Sequence, residues 1–192
     1  MTDIIYEDYP YNNGERKDEV LNKRIVSLAR RHKFYLKQVQ NVLNPTGWCF
    51  NRKSYQVCVA KKPNKKGGDY KVVGFIIYDG NTLWGRRGER MCMSLEYWLV
   101  DKKFQGQGIG KRLYEEMEKT GESWGLKNYC VMYDKTNEKL HNLYTSLGYA
   151  VIPKYDGEVV VNKETDKHIK VYKIVISKYR ISKEGDMFDL FE

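Results

Sequence analysis

Residues 91–117, MCMSLEYWLVDKKFQGQGIGKRLYEEM, constrain the fold more than any other stretch of the sequence. The first ten are mostly apolar and predict a buried strand that ends near Val100. Glycines then stand at every second position, as Gly106, Gly108 and Gly110, and apolar residues recur at helical spacing at Ile109, Leu113 and Met117. Such a loop presents backbone N–H groups at the positive end of a helix dipole. The stretch therefore predicts either a site for a phosphate group or a turn whose glycines serve tight packing.

The rest of the sequence predicts a mixed α+β fold around this stretch. Alternation and a high content of Val, Ile and Tyr predict further strands at residues 3–9, 54–62, 70–80, 128–134 and 168–179. Residues 15–43 predict a helical region that divides near residues 31–33, and residues 137–149 predict a helix whose end is marked by Gly148. Antiparallel strands come first and a strand, helix, strand crossover follows. We therefore expect parallel strands beside the helix that follows the glycines.

Length and composition indicate one folded domain with a distinct acidic end. The sequence has 192 residues, of which 41% are hydrophobic, and this suffices for one core of ordinary size. We expect residues 1–181 to form this single domain. Residues 182–192 hold four acids against one lysine, whereas the whole chain carries a net charge of +9. We expect this tail to be flexible or to dock on a basic or apolar groove.

The cysteines and the apolar runs argue against several classes of protein. The sequence contains four cysteines, Cys49, Cys58, Cys92 and Cys130. They have no CxxC spacing and no neighbours at zinc-ligand spacing, which argues against a disulfide framework and a metal site. Buried free thiols in a reducing compartment fit this pattern best. The N-terminal residues contain acids and no long apolar core, and no run of about 18 apolar residues occurs. We expect a cytoplasmic protein without a signal peptide or a membrane span.

The glycine pattern does not fit the two common nucleotide-binding loops. The P-loop pattern GxxxxGK[ST] fails because Gly106 and Gly110 are one residue too close and Arg112 follows the lysine. The dinucleotide fingerprint GxGxxG fails because it would require a glycine at Lys111. The pattern that does fit is Q-x-x-G-x-G after a strand, at Gln105, Gly108 and Gly110.

Two blocks of the sequence resemble those of the GNAT superfamily of N-acetyltransferases. Residues 100–113 resemble the family's acyl-CoA pyrophosphate loop, with Lys102 in place of the usual Pro, Phe104 in place of Tyr and Gln105 in place of Arg. Residues 137–149, NEKLHNLYTSLGY, resemble the later block N-x-x-A-x-x-L-Y-x-x-x-G-F, with a leucine at 140 where a small residue is usual. The matching positions of this later block are Asn137, Leu143, Tyr144, Gly148 and Tyr149.

The resemblance implies a fold, a reaction and a co-substrate. The fold is a central mixed sheet of about six to seven strands, splayed at the acyl-CoA site and flanked by about four helices. The reaction is the transfer of the acetyl group of acetyl-CoA to a primary amine, by direct attack in a ternary complex and without a metal. The element order resembles that of the family from residue 3 to about residue 179, and only the acidic tail lies outside it.

The resemblance also implies which residues bind CoA. Backbone groups of the strand before the loop hold the pantetheine arm and the thioester in the family, which falls here on Leu99 and Val100; plain strand core is the alternative for both. The pyrophosphate would lie on Gln105, Gly106, Gln107, Gly108, Ile109, Gly110 and Lys111. Asn137 falls on a side-chain contact to CoA, and capping of its helix is an equal alternative.

The same resemblance implies a proton donor, Tyr144, and a carboxylate, Glu96, that acts as a base or binds the substrate. Tyr144 falls on the tyrosine near the CoA sulfur, where a phenol with a pKa of about 10 can donate to the departing thiolate; helix packing is the alternative. Glu96 interrupts an apolar strand, on one face with Ser94, Trp98 and Val100 by alternation. It resembles a glutamate that takes the amine proton or binds the cationic substrate; a paired or exposed sheet residue is the alternative. His141 is a weaker candidate base, expected at the surface.

The acceptor amine is left open by the sequence. Small amines, polyamines, peptide or protein amines and RNA-borne amines such as aminoacyl-tRNA all fit. The basic clusters ARRHK, KKPNKK and GRRGER fit a solvated surface better than a nucleic-acid site, so an RNA-borne acceptor is possible but not favoured. A non-catalytic CoA-binding module is the competing class, and retention of Tyr144 and Glu96 argues against it. We expect a monomer or a homodimer without membrane association.

Overall fold

A computed structural model describes residues 3–11, 18–43, 55–64, 69–82, 91–126, 128–134, 137–151, 159–160 and 171–178. The helices in these ranges are α1 (Glu19–Arg31), α2 (Leu36–Leu43), α3 (Ile109–Ser123) and α4 (Glu138–Ser146). The strands are β1 (Ile5–Tyr11), β2 (Tyr55–Pro63), β3 (Tyr70–Thr82), β4 (Met91–Val100), β5 (Asn128–Asp134), β6 (Tyr149–Val151), β7 (Val159–Val160) and β8 (Val171–Lys178). A short 3-10 turn, Lys102–Phe104, lies between β4 and α3. The chain divides into two compact units, Met1–Gly80 with Glu96–Trp124 and Asn81–Leu95 with Gly125–Glu192.

The first unit contains an antiparallel meander. Strand β1 pairs with β2 from Ile5↔Lys61 to Tyr11↔Tyr55, and β2 pairs with β3 with a shift of register between Ala60 and Lys61. Strand β4 is the neighbour of β3 in the sheet. Just after the end of β4, the Asp101 N–H donates to the Val73 carbonyl of β3 at 2.8 Å. The hairpin that the sequence predicts between β2 and β3 is confirmed.

Helices α1 and α2 bury one apolar face against this meander. Each has apolar residues at helical spacing, and most of the buried residues are among them, with the buried Asn22 and the exposed Val20 of α1 as exceptions. Together with inward-facing residues of β2 and β3 they form one cluster, which includes Leu21, Ile25, Leu28, Val39, Leu43, Val57, Val59, Phe75 and Ile77. Burial of such side chains contributes about 1.5–3 kcal/mol each. The predicted break in the helical region is confirmed, since it falls at residues 32–35.

Helix α1 ends in a left-handed turn that contains no glycine. The Phe34 N–H donates to the Ala29 carbonyl at 3.0 Å and the Lys33 N–H donates to the Arg30 carbonyl at 3.1 Å, which are the two bonds of a Schellman motif. The motif gives Lys33 a φ of +51°, a value that strains any residue with a Cβ. Helices α3 and α4 are each followed by a glycine with positive φ, Gly125 and Gly148. Lys33 therefore bears a strain that the other two helix ends avoid.

Helix α3 packs closely on the sheet of the first unit. A Cβ built on Gly74 of β3 would lie 3.1 Å from Leu113 Cδ1 and 3.4 Å from Ile109 Cγ2, so the glycine lets α3 approach without displacing these side chains. Farther along, the Tyr78 hydroxyl lies 2.9 Å from a carboxylate oxygen of Asp8 and 3.2 Å from the Thr120 hydroxyl. Burial, with the nearby Asp8 charge, raises the pKa of Tyr78, so this phenol stays protonated. These contacts hold α3 over β1 and β3.

The second unit is built on a parallel pair. Residues 92–95 of β4 pair with β5 from Cys92↔Asn128 to Leu95↔Val131, as predicted for the strands that flank the crossover helix. Strand β8 then pairs antiparallel with β5, β6 and β7. Helix α4 packs against β5 and β6. The buried side chains include a group of tyrosines: Tyr129, Tyr133, Tyr144 and Tyr149.

The mixed α+β prediction is confirmed. The described residues hold four α-helices, as expected, and eight strands against about six to seven expected, since β7 is an additional strand of two residues. The acidic tail, Cys49 and the whole of the basic loop GRRGER lie outside the described residues, and Cys58 is a buried free thiol. In the part of the chain that is described, no helix is both long and apolar enough to cross a membrane.

Candidate functional site

The loop between β4 and α3 holds two glycines for which the described residues show no packing reason. Gly106 and Gly108 have φ values of +76° and +77°, and a Cβ built on either would meet nothing within 4 Å. Tight packing, the alternative stated from the sequence, therefore does not explain these two residues. Positive φ is one reason for glycine here. The open space beside the backbone leaves room for a ligand as a second reason.

Gly110 has a different explanation. It is the second residue of α3, and its φ lies outside the positive range. A Cβ on it would lie 3.3 Å from Trp98 Cζ2 and 3.6 Å from Val100 Cγ2. This glycine lets the first turn of α3 pack against β4. Tight packing explains it without a ligand, and its predicted contact with a pyrophosphate stays a prediction.

The start of α3 suits an anion. Gly108 is the N-cap residue and provides no side-chain cap, so the first N–H groups of the helix have neither an intrahelical acceptor nor a capping side chain. The first turn contains no acid. Lys111, in that turn, has a side chain that is 78% exposed. Helix dipole and side-chain charge thus act in the same direction, and both favour a negatively charged ligand.

Two glutamine side chains brace the loop. The Gln105 side-chain amide donates to the Val100 carbonyl at 3.1 Å, and the Gln107 amide donates to the Lys103 carbonyl at 3.4 Å. Each bond returns to a residue four or five positions earlier. Gln105 therefore ties the loop to the end of β4, a structural role beside the ligand contact that the sequence predicts for it.

Strand β4 presents two different faces before the loop. Tyr97 and Leu99 pack against the apolar cluster of α1 and α2, and Trp98 lies against Gly110 and stacks on Tyr114 with ring centroids 5.6 Å apart. Glu96 is half-buried, and alternation places it on the Trp98 side. The Trp98 indole N–H is buried and has no acceptor among the described residues.

In the second unit, Asn137 caps a helix. Its side-chain oxygen accepts from the Leu140 N–H at 3.2 Å, so the capping alternative is correct, and it is compatible with a CoA contact. Tyr144 is only 5% exposed, and its ring lies 5.3 Å from the ring of Tyr133 and 5.5 Å from that of Tyr149. Packing is therefore at least part of its role.

His141 lies beside this aromatic group. It is exposed, as expected, and its Nδ1 lies 2.9 Å from the Tyr133 hydroxyl. The hydrogen bond occupies one ring nitrogen, which weakens the case for His141 as a base.

The structure groups the predicted residues in two sets. The first unit holds Glu96, Leu99, Val100, Gln105, Gly106, Gln107, Gly108, Ile109, Gly110 and Lys111, and the second holds Asn137 and Tyr144. One residue with a clear structural role has no place in the sequence predictions, the buried Asp101 at the start of the loop. Its signal in the sequence is an acid that directly follows an apolar strand and precedes two lysines.

The sequence of this chain matches a family model described as the acetyltransferase (GNAT) family over residues 22–149. An uncharacterized N-acetyltransferase in the pepI 3′ region of Lactobacillus delbrueckii subsp. lactis is 24% identical over 102 residues, which make up 53% of this chain and 59% of that protein. The chain thus spans somewhat more than half the length of this relative.

Solved structures share the fold. The chain superposes on NAA60 of Arabidopsis thaliana in complex with a bisubstrate analogue with a TM-score of 0.59 at 14% identity, over 90% of this chain and 98% of that one. The TM-score is 0.57 for the same plant protein in complex with acetyl-CoA. An IAA acetyltransferase from Bacillus cereus gives 0.52 at 20% identity, over 91% and 97% of the two chains. At these identities the likeness concerns the fold.

Proposed function

Because this chain belongs to the acetyltransferase (GNAT) family, we propose that it transfers the acetyl group of acetyl-CoA to a primary amine by direct attack in a ternary complex. The acceptor is a small amine, a polyamine or an amine of a peptide or protein. The observation that carries the proposal is the loop at residues 105–111, where open backbone leads into a helix start without a side-chain cap. A pyrophosphate is the part of CoA that fits this place.

The pyrophosphate lies on the backbone of this loop. The donors are N–H groups from Gly106 to Lys111, and the two glycines with positive φ leave the ligand's side of the loop free of side chains. The exposed ammonium of Lys111, 3.9 Å from a carboxylate oxygen of Glu115, adds a positive charge. Gln105 and Gln107 also fix the loop, because each side-chain amide donates one of its two N–H groups to a backbone carbonyl of the chain.

The pantetheine arm and the thioester lie along the end of β4. The recorded pairing of β4 with β5 covers residues 92–95, and β4 continues to Val100. This continuation supports the splayed strand that the family resemblance implies. Leu99 also packs against the apolar cluster of the first unit, so its backbone is held in place while it offers polar groups to the ligand.

The chemical step needs one group that takes a proton and one that gives a proton. The neutral amine attacks the thioester carbonyl, the C–N bond forms and the C–S bond breaks. Glu96 takes the proton that the nitrogen loses as the amide forms and releases it to solvent, or it orients the cationic amine, which gives up its protons to water before and after the attack. Tyr144 gives its phenolic proton to the departing CoA thiolate and regains one from solvent. Atoms and charges balance without a metal or an external redox partner.

The proposal is tested by incubating the protein with labelled acetyl-CoA and a panel of small amines, polyamines, peptides and charged tRNAs. Transfer to an amine of the first three classes supports it, and transfer to tRNA alone assigns an RNA-borne acceptor instead. Binding of CoA without transfer or hydrolysis would make the chain a non-catalytic CoA-binding module. Absence of CoA binding would refute the assignment of the loop.

The role of Tyr144 has its own test. We expect Tyr144→Phe to lower turnover roughly 10²-fold or more and to leave the affinity for acetyl-CoA nearly unchanged, because only the proton donor is lost. Tyr149→Phe is the matched control, since it removes a hydroxyl from a ring 5.5 Å away in the same aromatic group. Equal turnover in the two variants would remove Tyr144 from the mechanism.

A further inference from the structure

An anionic side chain lies buried at the start of the loop that would bind an anion. Asp101 follows the last residue of β4, and its side chain is 7% exposed. One carboxylate oxygen accepts from the Lys103 N–H at 3.1 Å and so caps the 3-10 turn that leads to the glycines. The other lies 3.0 Å from the Lys71 ammonium on β3.

The same carboxylate reaches the end of α1. It lies 3.5 Å from the Arg31 guanidinium and 3.6 Å from His32 Nε2. Its backbone is fixed as well, because the Asp101 N–H donates to the Val73 carbonyl at 2.8 Å and its carbonyl accepts from the Phe104 N–H at 2.7 Å. One residue thus ties the loop to β3, to α1 and to the turn after it.

The charge of Asp101 is balanced locally. Burial raises the pKa of this carboxyl, but the hydrogen bonds from Lys71 and from the Lys103 N–H, with the charges of Lys71 and Arg31, outweigh burial and hold the pKa below its usual value. A carboxylate in direct contact with a pyrophosphate would repel it. Asp101 is instead turned inward on its cationic partners, so its contacts belong to the support of the loop.

We propose that Asp101 is a positioning residue for CoA binding, which holds the glycine loop in its ligand-ready shape before the pyrophosphate arrives. This inference rests on the proposed function. A loop that is already ordered loses little conformational freedom on binding, and this raises affinity without a new contact. The effect is confined to ligands that carry the pyrophosphate, because only these use the loop.

Two variants of Asp101 separate its charge from its capping role. Asp101→Asn keeps an oxygen that can accept from the Lys103 N–H but loses the negative charge that pairs with Lys71 and Arg31. Asp101→Ala loses both. Asp69→Asn is the control, since Asp69, directly before β3, also pairs with an arginine of α1, Arg24, but does not touch the loop.

Two ligands report on the loop separately from the rest of the site. CoA binding is measured by calorimetry, and turnover is measured with S-acetylpantetheine, which has the thioester and no pyrophosphate. For Asp101→Ala we expect the Kd for CoA to rise about tenfold or more, with a smaller rise for Asp101→Asn. We expect kcat/KM with S-acetylpantetheine to stay within about twofold of the parent value in both, and Asp69→Asn to leave both quantities unchanged.

A Kd for CoA within twofold of the parent value in both Asp101 variants would overturn the proposal. A loss of CoA affinity accompanied by an equal loss of kcat/KM with S-acetylpantetheine would overturn it as well, because that result indicates general damage to the fold. If Asp101→Ala does not fold, Asp101→Asn decides. If the parent protein itself binds no CoA, the proposed function fails, and this result is distinct because it does not depend on the variant.

Discussion

Replacing Gly108 with alanine separates two reasons for a glycine at this position. An alanine Cβ meets nothing within 4 Å among the residues that the structure describes, so the internal cost is that of the φ of +77°. The left-handed conformation costs an L-residue about 1–2 kcal/mol. The lower entropy of the unfolded alanine variant offsets about 0.4–1 kcal/mol of this. We expect the free energy of unfolding to fall by about 0.5–1 kcal/mol and Tm to fall by about 1–4 °C for a chain of this size.

The effect on ligand binding is expected to be larger. If a pyrophosphate lies on this backbone, the open space beside Gly108 is where it sits, and a methyl group there should raise the Kd for CoA about tenfold or more. Gly108→Asn sharpens the comparison, because asparagine tolerates positive φ better than alanine but has a larger side chain. Stability should therefore rank asparagine above alanine, and CoA affinity should rank alanine above asparagine.

The assays are thermal unfolding followed by circular dichroism and calorimetric titration with CoA. Gly125→Ala is the control, since Gly125 has a φ of +72° and equally open surroundings after the opposite end of α3. It should lose about as much stability as Gly108→Ala and keep the parent affinity. The reasoning is refuted if affinity follows stability across the variants, with asparagine binding more tightly than alanine. It is also refuted if Gly125→Ala weakens CoA binding as much as Gly108→Ala.

Three further predictions concern helix ends and the buried carboxylate. Lys33→Gly should raise the free energy of unfolding by about 0.5–1 kcal/mol in urea titrations, because glycine adopts the positive φ at the end of α1 without strain. Lys37→Gly, inside α2, should lower the free energy of unfolding, and a lower value for Lys33→Gly would contradict the Schellman motif. Asn137→Ala should cost about 0.5–2 kcal/mol through the lost cap, whereas Asn137→Ser keeps a cap and should lose CoA affinity alone; unchanged affinity in the serine variant would remove Asn137 from the CoA site. The lowered pKa of Asp101 means that the unfolded state binds its proton first, so the stability from its ion pairs is present above about pH 4 and is lost as the pH falls through the folded pKa. Asp101→Asn should therefore flatten the acid side of the plot of unfolding free energy against pH, and an unchanged slope would contradict the ion pairs.

Local signals made the elements around the loop predictable. The bounds of β4 and β5 match the prediction because both are short apolar runs with polar or glycine-containing flanks. The predicted apolar face of α3, formed by Ile109, Leu113 and Met117, is buried as expected. The family pattern also predicted a glycine-containing loop between a strand and a helix, and the structure has this loop between β4 and α3.

Contacts between residues far apart in the chain could not be predicted from the sequence. The partners of Asp101 are thirty and seventy positions away, at Lys71 and Arg31, and an acid near lysines in the chain looks like ordinary surface. The three glycines of the loop also appeared equivalent, and only the built geometry shows that Gly110 serves packing against Trp98. The left-handed turn at Lys33 carries no glycine and thus gave no local signal.

The bare first turn of α3 has a consequence for the time scale on which its backbone protons exchange with solvent. Amide hydrogens that lack an acceptor exchange quickly, whereas the amides of Asp101 and Phe104 just before the loop are hydrogen-bonded and should exchange slowly. The segment thus places fast-exchanging amides directly beside slow ones. A bound anion would protect the fast set and leave its neighbours as they are. Deuterium uptake at residues 106–111 therefore reports occupancy of the loop without a label, an acceptor amine or turnover.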